Sequence, residues 1–114
     1  MRSVKAHGAC FASANLEKAD LRDADLSAIG ATAVNLESSD LRGAKLVDAV
    51  LSAANLERAD LRGADLTNAD FTESTLERCD LHEARLDGAC FEGAVLEGVR
   101  GMDRVKPPPS GPYR

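Results

Sequence analysis

Apolar residues along this chain keep to a five-residue frame. Every Leu and every Phe falls in one register of it, at Phe11, Leu16, Leu21, Leu26, Leu36, Leu41, Leu46, Leu51, Leu56, Leu61, Leu66, Phe71, Leu76, Leu81, Leu86, Phe91 and Leu96, and only Ala31 interrupts the series. Two residues before each of these eighteen centres stands Ala in thirteen cases, and Ile29, Val34, Ser39, Ser74 or Cys79 in the others. An α-helix cannot bury this pattern, because at about 100° per residue a five-residue step carries each centre about 140° around the axis and leaves no stripe. A straight strand cannot either, since an odd step reverses the face. The spacing predicts a chain that turns once per repeat, with the centre and the residue two before it both pointing inward.

The outward positions give the number of sides. Glu recurs at 17, 37, 57, 77 and 97, Asp at 20, 40, 60 and 80, Arg at 22, 42 and 62, and Asn at 15, 35 and 55. A three-sided coil with a fifteen-residue period would scatter these columns, whereas four repeats per coil stack them. Eighteen repeats then make about four and a half coils and a rod roughly 22 Å tall at strand spacing, with peptide groups pairing from coil to coil. The repeats ANLEK, ADLRD, ADLSA, ANLER, ADLRG, ADLTN and ADFTE resemble the pattern of the pentapeptide-repeat family. The resemblance covers residues 9–98 and implies an all-β fold, a right-handed quadrilateral parallel β-helix. Residues 1–8 then read as a lead-in to the first coil, 9–98 as the β-helix, and 99–114 as a cap and Pro-rich tail.

Composition narrows the interior. The 114 residues suit one domain, and 44% hydrophobic content with 4% aromatic and no Trp leaves a core of Leu and Ala. Ala31 would leave a hole, but Ile29 and Val34 beside it return the volume. Phe11, Phe71 and Phe91 differ by multiples of twenty, so they share one side of the coil as core aromatics. Cys79 takes an inward position. Cys10 and Cys90 share an outward column but stand four coils apart, roughly 19 Å, beyond the reach of about 7 Å for a disulfide. All three read as free thiols in a reducing compartment.

Catalytic chemistry finds no footing. Gly-rich phosphate loops, nucleophile elbows and zinc motifs are missing, and His7 and His82 have no metal-ligand spacing to a partner; His82 takes the place of Arg in its column. The expectation is a protein that is not an enzyme and needs no cofactor or metal. No apolar run approaches the roughly 20 residues of a membrane span, and the N-terminus lacks a secretory stretch, which predicts a soluble, cytoplasmic protein without a membrane partner.

Charge points to the surfaces. The net charge is −5, yet Arg2, Lys5, Arg104, Lys106 and Arg114 sit at the ends and leave −10 on residues 9–103. An acidic body argues against direct nucleic-acid binding and favours another protein as partner. The candidate surfaces are the acidic columns Glu17, Glu37, Glu57, Glu77 and Asp20, Asp40, Asp60, Asp80, and an uncharged face at Ala12, Thr32, Val50 and Ser52. An open coil end can template association, so Val99 and Met102 are candidates for an end-to-end homodimer, while PPPSGPYR cannot continue a ladder. The primary expectation is a scaffold or protein-interaction module. The family resemblance implies an alternative, a DNA mimic that binds DNA gyrase or a related topoisomerase and protects it from quinolones or toxins. One net charge per roughly 2 Å of rod is of the order found in duplex DNA, about one per 1.7 Å.

Overall fold

The computed structural model describes residues 4–102. Within them every repeat makes one turn. The carbonyl of each centre accepts the N–H three residues on, as in Ala24 to Leu21 at 3.1 Å and Ala64 to Leu61 at 3.0 Å. The second residue after each centre has positive φ, from 56° at Ala53 to 75° at Gly98, the signature of a type II turn. Thirteen of these described positions are occupied by residues other than glycine, each in a conformation that costs about 1–2 kcal/mol. The surrounding ladder holds them there.

Between corners only one residue per side pairs with the next coil. Sixteen parallel bridges, from Lys5↔Asp25 to Asp80↔Arg100, each join residues twenty apart. This is direct evidence for four repeats per coil, and the sides are too short for continuous strands. The repeat centred on Leu41 shows how its amides are satisfied. Asp40 N–H reaches back to Ala19 O at 2.9 Å, Leu41 and Gly43 reach forward to Asp60 O and Arg62 O at 2.8 and 3.0 Å, and Ala44 closes the turn on Leu41 O at 3.0 Å. The fifth amide, of Arg42, points away from the ladder and donates to Asp40 Oδ1 at 3.3 Å.

The centres from Leu21 to Phe91 are buried, while Phe11, Leu16 and Leu96 are half-buried because a terminal coil has a neighbour on one side only. Ile29 and Val34 are buried around Ala31, and what remains there is an apolar void of about 10 Å³ lined by Phe11, Leu21, Leu26 and Leu36 among others. That is at most the size of one water and offers it no polar partner. Phe71 and Phe91 stack with centroids 5.0 Å apart and rings 3° from parallel. Phe11 stands apart from them, because Ala31 and Leu51 intervene in the same column.

At the N-terminal end the frame already operates within the lead-in, where Lys5 bridges to Asp25 and Gly8 takes a positive-φ turn position. At the other end Gly101, next to last of the described residues, has φ of 85°, and a Cβ there would lie 2.5 Å from the His82 amide nitrogen. The Pro-rich segment and the rest of the expected cap, 103–114, lie outside the described residues.

Candidate functional site

The two acidic columns differ once their hydrogen bonds are traced. Asx residues in the position before the centre each accept the N–H two residues on, and ten described repeats use this device: Asn15, Asp20, Asp25, Asn35, Asp40, Asn55, Asp60, Asp65, Asp70 and Asp80. Such Asx turns supply the acceptor that the ladder does not. Sequence reasoning read Asp20, Asp40, Asp60 and Asp80 as a surface charge column and missed this role. The signal was present, because Asp or Asn recurs immediately before the centre.

Three of these four aspartates also sit in arginine forks. Arg22, Arg42 and Arg62 grip Asp20, Asp40 and Asp60 with Nη2–Oδ2 distances of 2.8, 2.6 and 2.6 Å. Each Nε also lies 3.7–3.8 Å from the aspartate of the next coil. Asp80 ends the ladder, with His82 Nδ1 at 2.5 Å and Arg100 at 3.6 Å. Exposure of the carboxylates falls along the column from 44% at Asp20 to 14% at Asp80. The hydrogen bond from Arg42 holds the Asp40 carboxyl below its usual range, and Arg22 does the same for Asp20. At Asp80 burial pushes upward, but the His82 hydrogen bonds and nearby cations leave the carboxyl lowered. The column therefore alternates in sign and presents little net field.

Glu17, Glu37, Glu57 and Glu77 occupy the neighbouring face, with Asn15, Asn35 and Asn55 capping the amides of the first three at 3.0–3.1 Å. Glu57 meets Arg58 at 3.3 Å. Among the described residues Glu17, Glu37 and Glu77 have no cationic partner within 4.0 Å, so this face, unlike the aspartate column, carries open negative charge.

The uncharged face has a different backbone. Its bridge column runs Cys10, Gly30, Val50, and none of these can accept a hydrogen bond as Asp or Asn does. The amides of Ala12, Thr32 and Ser52 consequently have no partner within the described chain. Ala12 and Thr32 are exposed, Ser52 is half-buried, and Thr32 Oγ1 and Ser52 Oγ are 3.3 Å apart. Val50 is the one large hydrophobic exposed among the described residues, at 39%. The patch stops at Asp70, whose Oδ1 again takes an amide, that of Thr72, at 2.9 Å.

Val99 and Met102 are half-buried against the end of the core, so part of their apolar surface is already covered. Cys79 is buried, with Sγ donating to Leu56 O at 2.7 Å, and burial pushes its thiol up to about 12. Cys10 is exposed, and none of the three cysteines forms a disulfide. The described residues hold no cluster of three or more His, Cys, Asp or Glu fit to bind a metal, and no helix among them is long and apolar enough to cross a membrane.

Comparison with known proteins matches this geometry. Among curated proteins none matches the sequence. Among solved structures, a pentapeptide repeat protein of the cyanobacterium Nostoc, alr5209, is 31% identical, over 95% of this chain and 74% of that one, with a TM-score of 0.59. HetL from Nostoc, a pentapeptide repeat protein involved in heterocyst differentiation regulation, is 29% identical over 82% of this chain with a TM-score of 0.53. A thylakoid-lumen pentapeptide repeat protein of Arabidopsis thaliana is 29% identical over 83% of this chain and 66% of its own, with a TM-score of 0.52. This chain spans less than half of HetL, 44% of its length. The family model for pentapeptide repeats matches eight copies, at residues 1–28, 32–68 and 59–98, and its gap falls on the one repeat whose centre is Ala31. The chain belongs to the pentapeptide repeat family.

Proposed function

We propose that this protein is a non-enzymatic interaction module, a right-handed quadrilateral β-helix of about four and a half coils whose uncharged face receives another protein. The observation that carries this is the run of open amides at Ala12, Thr32 and Ser52 beside exposed Val50. Ten repeats spend an Asp or Asn on that amide, and this face leaves it open in three successive coils, so it combines unused donors with an apolar contact. Its flank carries the unpaired Glu17 and Glu37. The fitting partner has an apolar centre and a basic rim. The free thiols suit a reducing compartment, and the cytoplasm is the one we infer. The test is affinity capture with the wild type, Val50→Lys and Lys45→Gln side by side. Recovery of one partner by the wild type and Lys45→Gln, with loss in Val50→Lys, is expected. Equal recovery by all three would remove this face from the function.

A second reading, the DNA mimic acting on gyrase or another topoisomerase, draws on Glu17, Glu37 and Glu77 rather than on the aspartate column, where arginine neutralises Asp20, Asp40 and Asp60. It predicts salt-sensitive protection or inhibition of gyrase supercoiling. Failure to bind any topoisomerase at low salt rules it out.

A further inference from the structure

One groove runs against the acidic character of the rod. Arg58 and Arg78 stand at equivalent corner positions of successive coils, with φ of 62° and 61°. With Arg62 and Arg100 on the adjoining face they enclose a space of about 290 Å³, which Asp60 and Asp80 also line. Those two carboxylates are already committed. Asp60 is held by Arg62 at 2.6 Å and approached by Arg42 at 3.7 Å, and Asp80 is held by His82, Arg62 and Arg100. Four guanidinium groups therefore face two saturated carboxylates. The remaining ion pair is Arg58 with Glu57 at 3.3 Å, and Arg78 has no carboxylate within 4.0 Å among the described residues.

Corner positions in successive coils lie about 4.8 Å apart at their Cα atoms. Like charges at that spacing repel by close to 1 kcal/mol in water, and more where the protein lowers the local dielectric. A bound dianion converts the repulsion into two attractive contacts. Guanidinium forks match the paired oxygens of phosphate, and such charge-assisted bonds are about twice as strong as neutral ones. The volume is near the lower limit for small-molecule clefts, about 300 Å³, which suits a phosphate group with little attached. Gly98, the next corner after Arg78, carries no side chain to cover it. A Cβ at Gly98 would press on Arg78 Cγ at 3.2 Å.

We infer that the groove between Arg58, Arg78 and Arg100 is a binding site for a phosphate-class dianion, free or as a small monoester. The inference is independent of the partner surface proposed above, because Val50 and Thr32 belong to another face. The experiment is an amide-resolved NMR titration of the full chain near neutral pH at constant ionic strength, with inorganic phosphate in one arm, glycerol 3-phosphate in the second and sodium chloride in the third. Saturable shifts centred on residues 58, 78 and 100 are expected in a phosphate arm and not with chloride. A tighter response to the monoester assigns the site to esterified phosphate, and a tighter response to inorganic phosphate assigns it to the free anion. Arg78→Gln should weaken binding about tenfold or more, while Lys45→Gln on another face leaves it unchanged. Linear, unsaturable shifts in both phosphate arms, or wild-type affinity in an Arg78→Gln protein whose circular dichroism matches the wild type, would overturn the assignment.

Discussion

Ser39 and Ser74 hold equivalent inward positions of the repeat, and both are buried, yet their hydroxyls fare differently. Ser74 Oγ donates to Phe71 O at 2.6 Å, closing on the carbonyl of its own turn. Ser39 Oγ is buried with no partner. A buried hydroxyl without a hydrogen bond costs about 1–3 kcal/mol, whereas a paired one is close to neutral against an apolar replacement. Ala is the residue thirteen repeats use here, and the backbone of the turn already accepts it. Ser39→Ala should therefore raise stability by about 1 kcal/mol, while Ser74→Ala changes it by less than about half as much. Urea unfolding of the two variants beside the wild type measures the difference; a destabilised Ser39→Ala protein would mean that the hydroxyl is satisfied in solution.

At the scale of the repeat, the aspartate column is a structural part with two functions that can be separated. Asp40 Oδ1 accepts the Arg42 amide, and the carboxylate as a whole holds the Arg42 guanidinium. Asp40→Asn keeps an oxygen for the amide and removes the charge, whereas Asp40→Ala removes both. The alanine variant should be the less stable by about 1 kcal/mol at neutral pH. The same column, together with Asp25 on the next face, sets the acid limit of the fold. Asp20, Asp25, Asp40 and Asp80 all have carboxyls lowered below the ordinary 3.8. A group with a lowered folded value binds its proton more readily in the unfolded chain. Its contribution is complete above 3.8 and is lost as the pH falls through the lowered values. Urea midpoints should hold steady from neutral pH to just above that value and then fall, with Asp40→Asn falling less steeply than the wild type. A flat profile through strong acid would contradict the ladder. Much of this element was legible in the sequence, because a five-residue apolar period admits few backbones. Leu21 to Phe91 are buried and Ile29 with Val34 fills the space beside Ala31. The Asx turns were not read, because periodicity reports which way a residue points and says nothing of which amide lacks an acceptor. The open amides at Ala12, Thr32 and Ser52 become visible only when every N–H is counted.

At the scale of the molecule, every coil-to-coil bridge spans twenty residues, so stability is a sum of neighbour terms between coils, as in other solenoids. This makes chain length modular in one specific unit. Deleting residues 41–60 joins Asp40 to Leu61, which puts Leu61 in the place of Leu41 and Arg62 in the fork of Asp40. Every inward position stays inward, and the columns on all four faces remain aligned. Deleting residues 43–60 removes nearly as much chain but joins Arg42 to Leu61, two residues out of frame. From there on the large centres fall at corners, the small residues fall at the centres, and outward residues such as Arg62 fall in the small inward position. The first deletion should give a shorter rod that still unfolds cooperatively in urea, at a lower midpoint and with a slope reduced by roughly a fifth, in line with the surface lost. The second should lose the cooperative transition or retain only the coils on one side of the join. Circular dichroism and urea unfolding of the two proteins settle the matter. Were the 43–60 deletion as well folded as the 41–60 deletion, the five-residue frame would not be what organises this chain.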